Sequence, residues 1–125
     1  MIDFKNSSIF KLKPIENDKA REDFHKFLID GEHIFAAFKT IRDQVVFTNK
    51  RVIAANVQGI TGSKVDYTSL PYSKIQAFSV ETSGTFDLDS EIELYISELG
   101  KVRFEIRGSF DLVTFNRYIS EYVLA

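Results

Sequence analysis

The 125-residue chain contains no cysteine and no tryptophan, one methionine and two prolines. Without thiols there is no disulfide framework, no thiolate nucleophile and no cysteine-based zinc site. No apolar run approaches the roughly 20 residues that a bilayer-spanning helix requires. The N-terminal MIDFKNSSIF lacks a basic region followed by a long apolar stretch, so it does not read as a secretory signal. An excess of positive charge is missing too: 16 basic and 18 acidic residues leave a net charge of −2. Nucleic-acid binders usually carry a clear basic surplus or stripe, so that class is not expected. The same balance gives no support to a purely electrostatic grip on an anionic membrane. Together these absences describe a soluble cytoplasmic protein.

What is present is an aromatic core. Twelve Phe and five Tyr stand within a hydrophobic fraction of 44%, enough for a packed interior rather than a disordered chain. At this length one domain is the simplest division, able to bury roughly two-thirds of its unfolded surface.

Residues 1–31 read as an N-terminal extension and 32–125 as the core of that domain. Pro14 punctuates an irregular start, and Asn17 is placed to cap a short helix over 18–30. Ala20, Phe24, Phe27 and Leu28 give that helix a buried stripe, and Gly31 stops it. From residue 32 the period changes to two. Seven strands are predicted, at 32–41, 44–48, 51–57, 64–69, 75–81, 90–96 and 102–107, in antiparallel hairpins separated by Gly, Asn, Asp and Pro. Phe35 and Phe38 fall on opposite faces of the first strand, so both faces need a cover: the N-terminal helix or another chain. The last hairpin is the clearest element. Ile92, Leu94 and Ile96 alternate with Glu91, Glu93 and Tyr95, and Val102, Phe104 and Ile106 with Arg103, Glu105 and Arg107. Ser109 then caps a terminal helix reaching about residue 124, whose apolar stripe is Leu112, Phe115, Ile119, Tyr122 and Val123.

Catalytic patterns are scarce. His25 and His33 lack the i, i+4 spacing of a helical zinc site and any evident third ligand. Gly59-Ile60-Thr61-Gly62-Ser63-Lys64 has neither the spacing nor the following helix of a phosphate loop, so it reads as a turn. Asp87, Asp89, Glu91 and Glu93 do not follow a calcium-loop pattern, because a strand continues from them. No Gly-x-Ser-x-Gly elbow is present. The chain is read as a non-enzyme with no cofactor and no metal. One basic group stands out: Lys39, Arg42, Lys50 and Arg51 lie around the first strand and the two turns after it. Converging turns would make them an anion site. Otherwise they are turn and edge charges that limit aggregation, a reading that Asp43 favours by standing among them.

Several segments taken together resemble the bacterial pleckstrin-homology (PH) family. They are Arg42-Asp43, Phe47-Thr48-Asn49-Lys50-Arg51, Gly59-Ile60-Thr61-Gly62, Leu70-Pro71-Tyr72-Ser73-Lys74-Ile75 and Phe78-Ser79-Val80-Glu81-Thr82-Ser83-Gly84-Thr85-Phe86-Asp87-Leu88-Asp89. The resemblance implies a mainly β fold: a bent seven-stranded antiparallel sandwich or partly open barrel with a capping C-terminal helix. It also implies a binding or scaffolding module that self-associates into a homo-oligomeric ring, with a pentamer the expected form. Eukaryotic PH domains often bind phosphoinositides through the loop between their first two strands. Here that loop is reduced to Arg42-Asp43, one base and one acid. An anionic phospholipid head group or membrane surface is the alternative ligand, and a protein or peptide partner the second alternative.

Overall fold

The strand Ile34–Lys39 (β2) carries an irregularity on which the two-sided core depends. In the computed structural model, which describes residues 4, 11–86 and 88–125, Ile34 pairs with Thr48 and Ala36 with Phe47, so Phe35 is an extra residue at a β-bulge. A bulge reverses the in/out alternation on one side of it. Phe35 and Phe38 therefore do not fall on opposite faces; both pack into the same main core. Ala37 and Ile34 face the other way, into a second cluster with Ala20, Phe24, Val46, Ile53 and Ala55.

The expected cover on that second face is the chain's own N-terminal segment, but not as one long helix. A 3₁₀ turn, Asn17–Lys19, is separated from the short helix α1, Glu22–Phe27, by extended backbone at Ala20 and Arg21. Asn17 caps neither element. Its amide instead reaches the Ile34 carbonyl at 3.5 Å, while the Arg21 N–H donates to Gln44 Oε1 at 2.9 Å. A side chain on the sheet thus takes the place of a local cap. Leu28 is extended, so the helix ends before Gly31, whose φ of 78° makes the turn toward β2.

Among the described residues, eight strands form one open sheet in the order β5-β4-β3-β2-β1-β8-β7-β6. They are β1 Lys11–Ile15, β2, β3 Gln44–Thr48, β4 Arg51–Gln58, β5 Lys64–Pro71, β6 Ile75–Glu81, β7 Ser90–Ile96 and β8 Gly100–Ile106. Seven were anticipated; β1 is the addition, in a segment read as irregular. It joins the two halves of the sheet, with Lys11 and Leu12 parallel to β8 and residues 13–15 antiparallel to β2. Pro14 falls in the part that pairs only with β2, where a missing N–H is tolerated.

Between the halves sits the aromatic core. The Phe47 ring meets Phe38, Phe104 and Phe115 edge-on, at centroid distances of 5.8, 5.6 and 4.9 Å. Phe115 and Ile119 come from the terminal helix α2, Leu112–Val123, and Tyr122 stacks on Tyr72. The cap of α2 is Asp111 rather than Ser109. Its carboxylate accepts the Thr114 N–H at 3.0 Å and the Thr114 hydroxyl at 2.7 Å. Among the described residues no helix is long and apolar enough to cross a membrane.

The pairing register also decides which connections share an end. Lys39 lies opposite Gln44 and Lys13, and Leu12 lies opposite Ile106. Ile106 lies opposite Ser90, Glu81 opposite Glu91, and Gln58 opposite Lys64. Residues 40–43, 59–63, 82–86 and the residues that follow Ile106 therefore all leave the sheet at one end.

Candidate anion-binding site

Strand alternation at that end turns one set of side chains outward. Leu12 is fully buried, so Lys11 and Lys13 on either side of it project from the outer face of β1. Lys39 ends β2 opposite Lys13. Arg107 follows β8, and its N–H donates to the Leu12 carbonyl at 2.8 Å. With Arg42 from the 40–43 turn, these five exposed bases border a shallow depression of about 540 Å³.

Two acids stand near them. Asp43 is held by β4: Oδ1 accepts the Val57 N–H at 2.8 Å and Oδ2 the Asn56 amide at 3.1 Å. Glu105 lies beside Lys11 in the β1–β8 register. No ion pair forms among the described residues at Lys11, Lys13, Lys39 or Arg107. Arg42 donates through Nη2 to the Gly59 carbonyl, tying the 40–43 turn to the 59–63 turn. Gly59 and Gly62 both hold positive φ there, at 73° and 67°, as a tight turn requires. Ammonium and guanidinium groups donate hydrogen bonds and accept none, so such a cluster suits the oxygens of a phosphate or carboxylate.

The four bases singled out in the sequence do not come together. Lys39 and Arg42 border the depression, whereas Lys50 and Arg51 lie at the far end of β3, roughly 16 Å away for five extended residues. Lys50 is exposed in the β3–β4 turn. Arg51 is engaged inside the fold, donating to Glu32, Ser69 and the Phe27 carbonyl. Lys11, Lys13 and Arg107 take their place. The signal for the lysines was the Lys-Leu-Lys alternation before Pro14, and Arg107 continues the outward series Arg103, Glu105.

Other polar groups have structural partners. Asp89 accepts the Gly108 N–H at 2.9 Å, and Asp87 lies outside the described residues. Glu91 pairs with Arg103, and Glu93 with Lys101 at 4.0 Å. His25 and His33 are exposed, and the described residues include no group of three or more His, Asp or Glu side chains able to hold a metal.

Residues 3–123 match the family model described as "Bacterial PH domain". A DUF1696-family protein with a pleckstrin-homology domain from Shewanella loihica PV-4 is 36% identical with a TM-score of 0.75, the match covering 91% of this chain and 98% of that one. The pleckstrin-homology domain from Shewanella amazonensis SB2B is 39% identical with a TM-score of 0.63, covering 89% and 90%. Among sequence relatives, the Bacillus subtilis uncharacterized protein YjqA is 52% identical over 77 residues, 62% of each chain. The uncharacterized protein YvbH of the same organism is 35% identical over 97 residues, 76% of this chain and 46% of YvbH. The chain thus spans less than two-thirds of the curated relatives it matches.

Proposed function

The chain belongs to the bacterial PH-domain family, and on that scaffold we propose that it is a non-enzymatic binding module that recognises an anionic, phosphate-bearing group. The observation that carries this reading is the meeting of Lys11, Lys13, Lys39, Arg42 and Arg107, from four separate segments, around one depression. Asp43 is the one acid among the residues lining the depression, against five bases, and its carboxylate oxygens are turned to donors on β4. Calorimetric titration with pyrophosphate tests it. Saturable binding that weakens with salt and disappears in Lys13→Glu/Lys39→Glu, but persists in Lys50→Glu, is the expected result. Wild-type protein that takes up no pyrophosphate, or a double variant that binds equally well, overturns it.

A second reading, self-association into a homo-oligomeric ring, is favoured by a different observation. Among the described residues, strands β5 and β6 each pair on one side only, leaving two sheet edges. Free edges add strands from another copy or from an extended peptide of a protein partner. Size-exclusion chromatography with light scattering should give a mass several times that of one chain, and Ala77→Pro on β6 should lower it. A monomer at every accessible concentration removes this reading.

A further inference from the structure

The two outer strands of the sheet are not alike. Strand β5 carries Lys64, Asp66 and Pro71, the kind of charges and proline that keep an edge from pairing. Strand β6 has none of these from Ile75 to Val80, and its one charge, Glu81, is its last residue. Beside this unguarded edge lies a groove of about 500 Å³, walled by Val80 and Leu88 on one side and by the first half of α2 on the other. Phe78 lies opposite Leu94 and Val80 opposite Ile92, both fully buried, so Phe78 and Val80 stand on the core face of the sheet. Phe78 packs against the main core, whereas Val80 lines the groove. On α2, Phe115 and Ile119 enter the core, while Val113 and Arg117 share a different row of the helix and both line the groove. Val113 is 72% exposed and Leu88 58%. Arg117 forms no ion pair among the described residues. Asp111, the one acid among the described lining residues, is taken up in capping Thr114.

We propose that the β6 edge and this groove together bind an extended peptide of another protein, in which an apolar residue is followed two positions later by aspartate or glutamate. The proposal rests on the reading that the sheet edges accept a strand, takes the peptide rather than the second copy, and is independent of the anion site. A strand added to β6 gains main-chain hydrogen bonds along the edge, and every second side chain falls on the Phe78–Val80 face, toward α2. Helix α2 starts where β6 finishes, and its Tyr122 reaches Tyr72, just before β6 begins. A peptide antiparallel to β6 therefore runs in the direction of α2 and meets Val113 before Arg117. Two strand residues advance about 6.8 Å and four helix residues about 6 Å, so positions i and i+2 of the peptide match those two side chains. The first fills the space between Val80, Leu88 and Val113. The second brings a carboxylate to an unpaired guanidinium, whose fork of donors suits it. A small apolar acid would fill the groove and leave the edge unpaired. A second copy would have to bring β5, with Lys64, Asp66 and Pro71 on it.

Selection of a random heptapeptide library on phage against the full chain tests the proposal. The enriched sequences should share an apolar residue and an acid two positions on. A synthetic peptide of that sequence should bind Arg117→Glu about tenfold or more weakly, and replacing its acid by lysine should restore binding to that variant. N-methylation at alternate peptide nitrogens separates an added strand from any other bound form: methyl groups in one phase should abolish binding and in the other leave it unchanged. Arg117→Glu should take up pyrophosphate like wild type, which keeps the test apart from the anion site. A library without this consensus, a peptide that binds Arg117→Glu as tightly as wild type, or equal effects of the two methylation phases overturns the proposal. A light-scattering mass that falls in Arg117→Glu overturns it too and assigns the groove to a contact between copies. A monomeric chain that binds the peptide in this way removes the ring and supports the peptide site.

Discussion

Arg51 Nε donates to Glu32 Oε2 at 2.9 Å, joining the chain just before β2 to the start of β4. The Glu32 carboxylate has no exposed surface, yet each oxygen is satisfied. Oε1 accepts from Arg51 Nη2 at 3.0 Å and from the Ile29 N–H at 3.0 Å, and Oε2 also accepts the Thr48 hydroxyl at 2.7 Å. Arg51 reaches further, to the Phe27 carbonyl at 2.9 Å. One ion pair therefore fastens the N-terminal extension to the β3–β4 hairpin.

Removing Arg51 leaves a buried carboxylate without its cation, which typically costs about 3–5 kcal/mol. Arg51→Met should lower unfolding stability in urea by that amount. Lys50→Glu, exposed in the adjacent turn, should stay within about 0.5 kcal/mol. An Arg51→Met midpoint equal to wild type would show that the pair does not hold the extension.

Stability should also fall in acid through Glu32. Burial pushes its carboxyl up, but the hydrogen bonds from Arg51, Thr48 and the Ile29 N–H, with the Arg51 charge, outweigh burial and hold the pKa below the ordinary value. A folded pKa below the unfolded one means the contribution is complete above the ordinary carboxylate range. It is lost as pH falls through the folded value. Glu32→Gln should start less stable at neutral pH and show a shallower acid limb in stability measured against pH. Parallel curves for the two proteins would exclude Glu32 as the source.

Phe24 is fully buried and provides the ring of the second cluster, edge-on to Tyr67 at 5.5 Å. Phe24→Ala should cost about 3–5 kcal/mol. Phe27→Ala, whose ring is 45% exposed, should cost clearly less. Equal losses in denaturant melts would mean that α1 does not cover the sheet through Phe24.

At the basic end, replacing single charges separates the participants. Lys13→Gln and Lys39→Gln should each weaken pyrophosphate binding and flatten its salt dependence, since each removes a screened attraction. Arg103→Gln should leave the salt dependence unchanged, because Arg103 is paired with Glu91. A uniform effect of all three would point to general charge rather than a site.

Much of the sheet was legible because alternation is a local signal. The β7–β8 hairpin could be read from Ile92, Leu94 and Ile96 against Val102, Phe104 and Ile106, and the register pairs those residues on one face. The first strand was not legible in the same way. Lys11–Ile15 is short, contains Pro14 and finds its partners at residues 37–39 and 105–106. The bulge at Phe35 exists only in relation to β3, so the sequence of β2 alone placed Phe35 and Phe38 on the wrong faces. The single helix expected over 18–30 was divided because Gln44, on the sheet, took the Arg21 N–H.

The block from residue 39 to 94 determined the class of fold through the local periodicity of its β-type runs, and its particular segments carried the family resemblance. Which charges meet is a different kind of fact. Lys11 and Arg107 are far apart in the chain, and they face one depression only because β1 runs parallel to β8. Lys39 and Arg51 are close in sequence, yet an extended strand holds them at opposite ends. Strand direction and register, set by burial of Leu12, Phe38, Phe47 and Ile106, decided the site. Side-chain alternation could say only which residues would face outward.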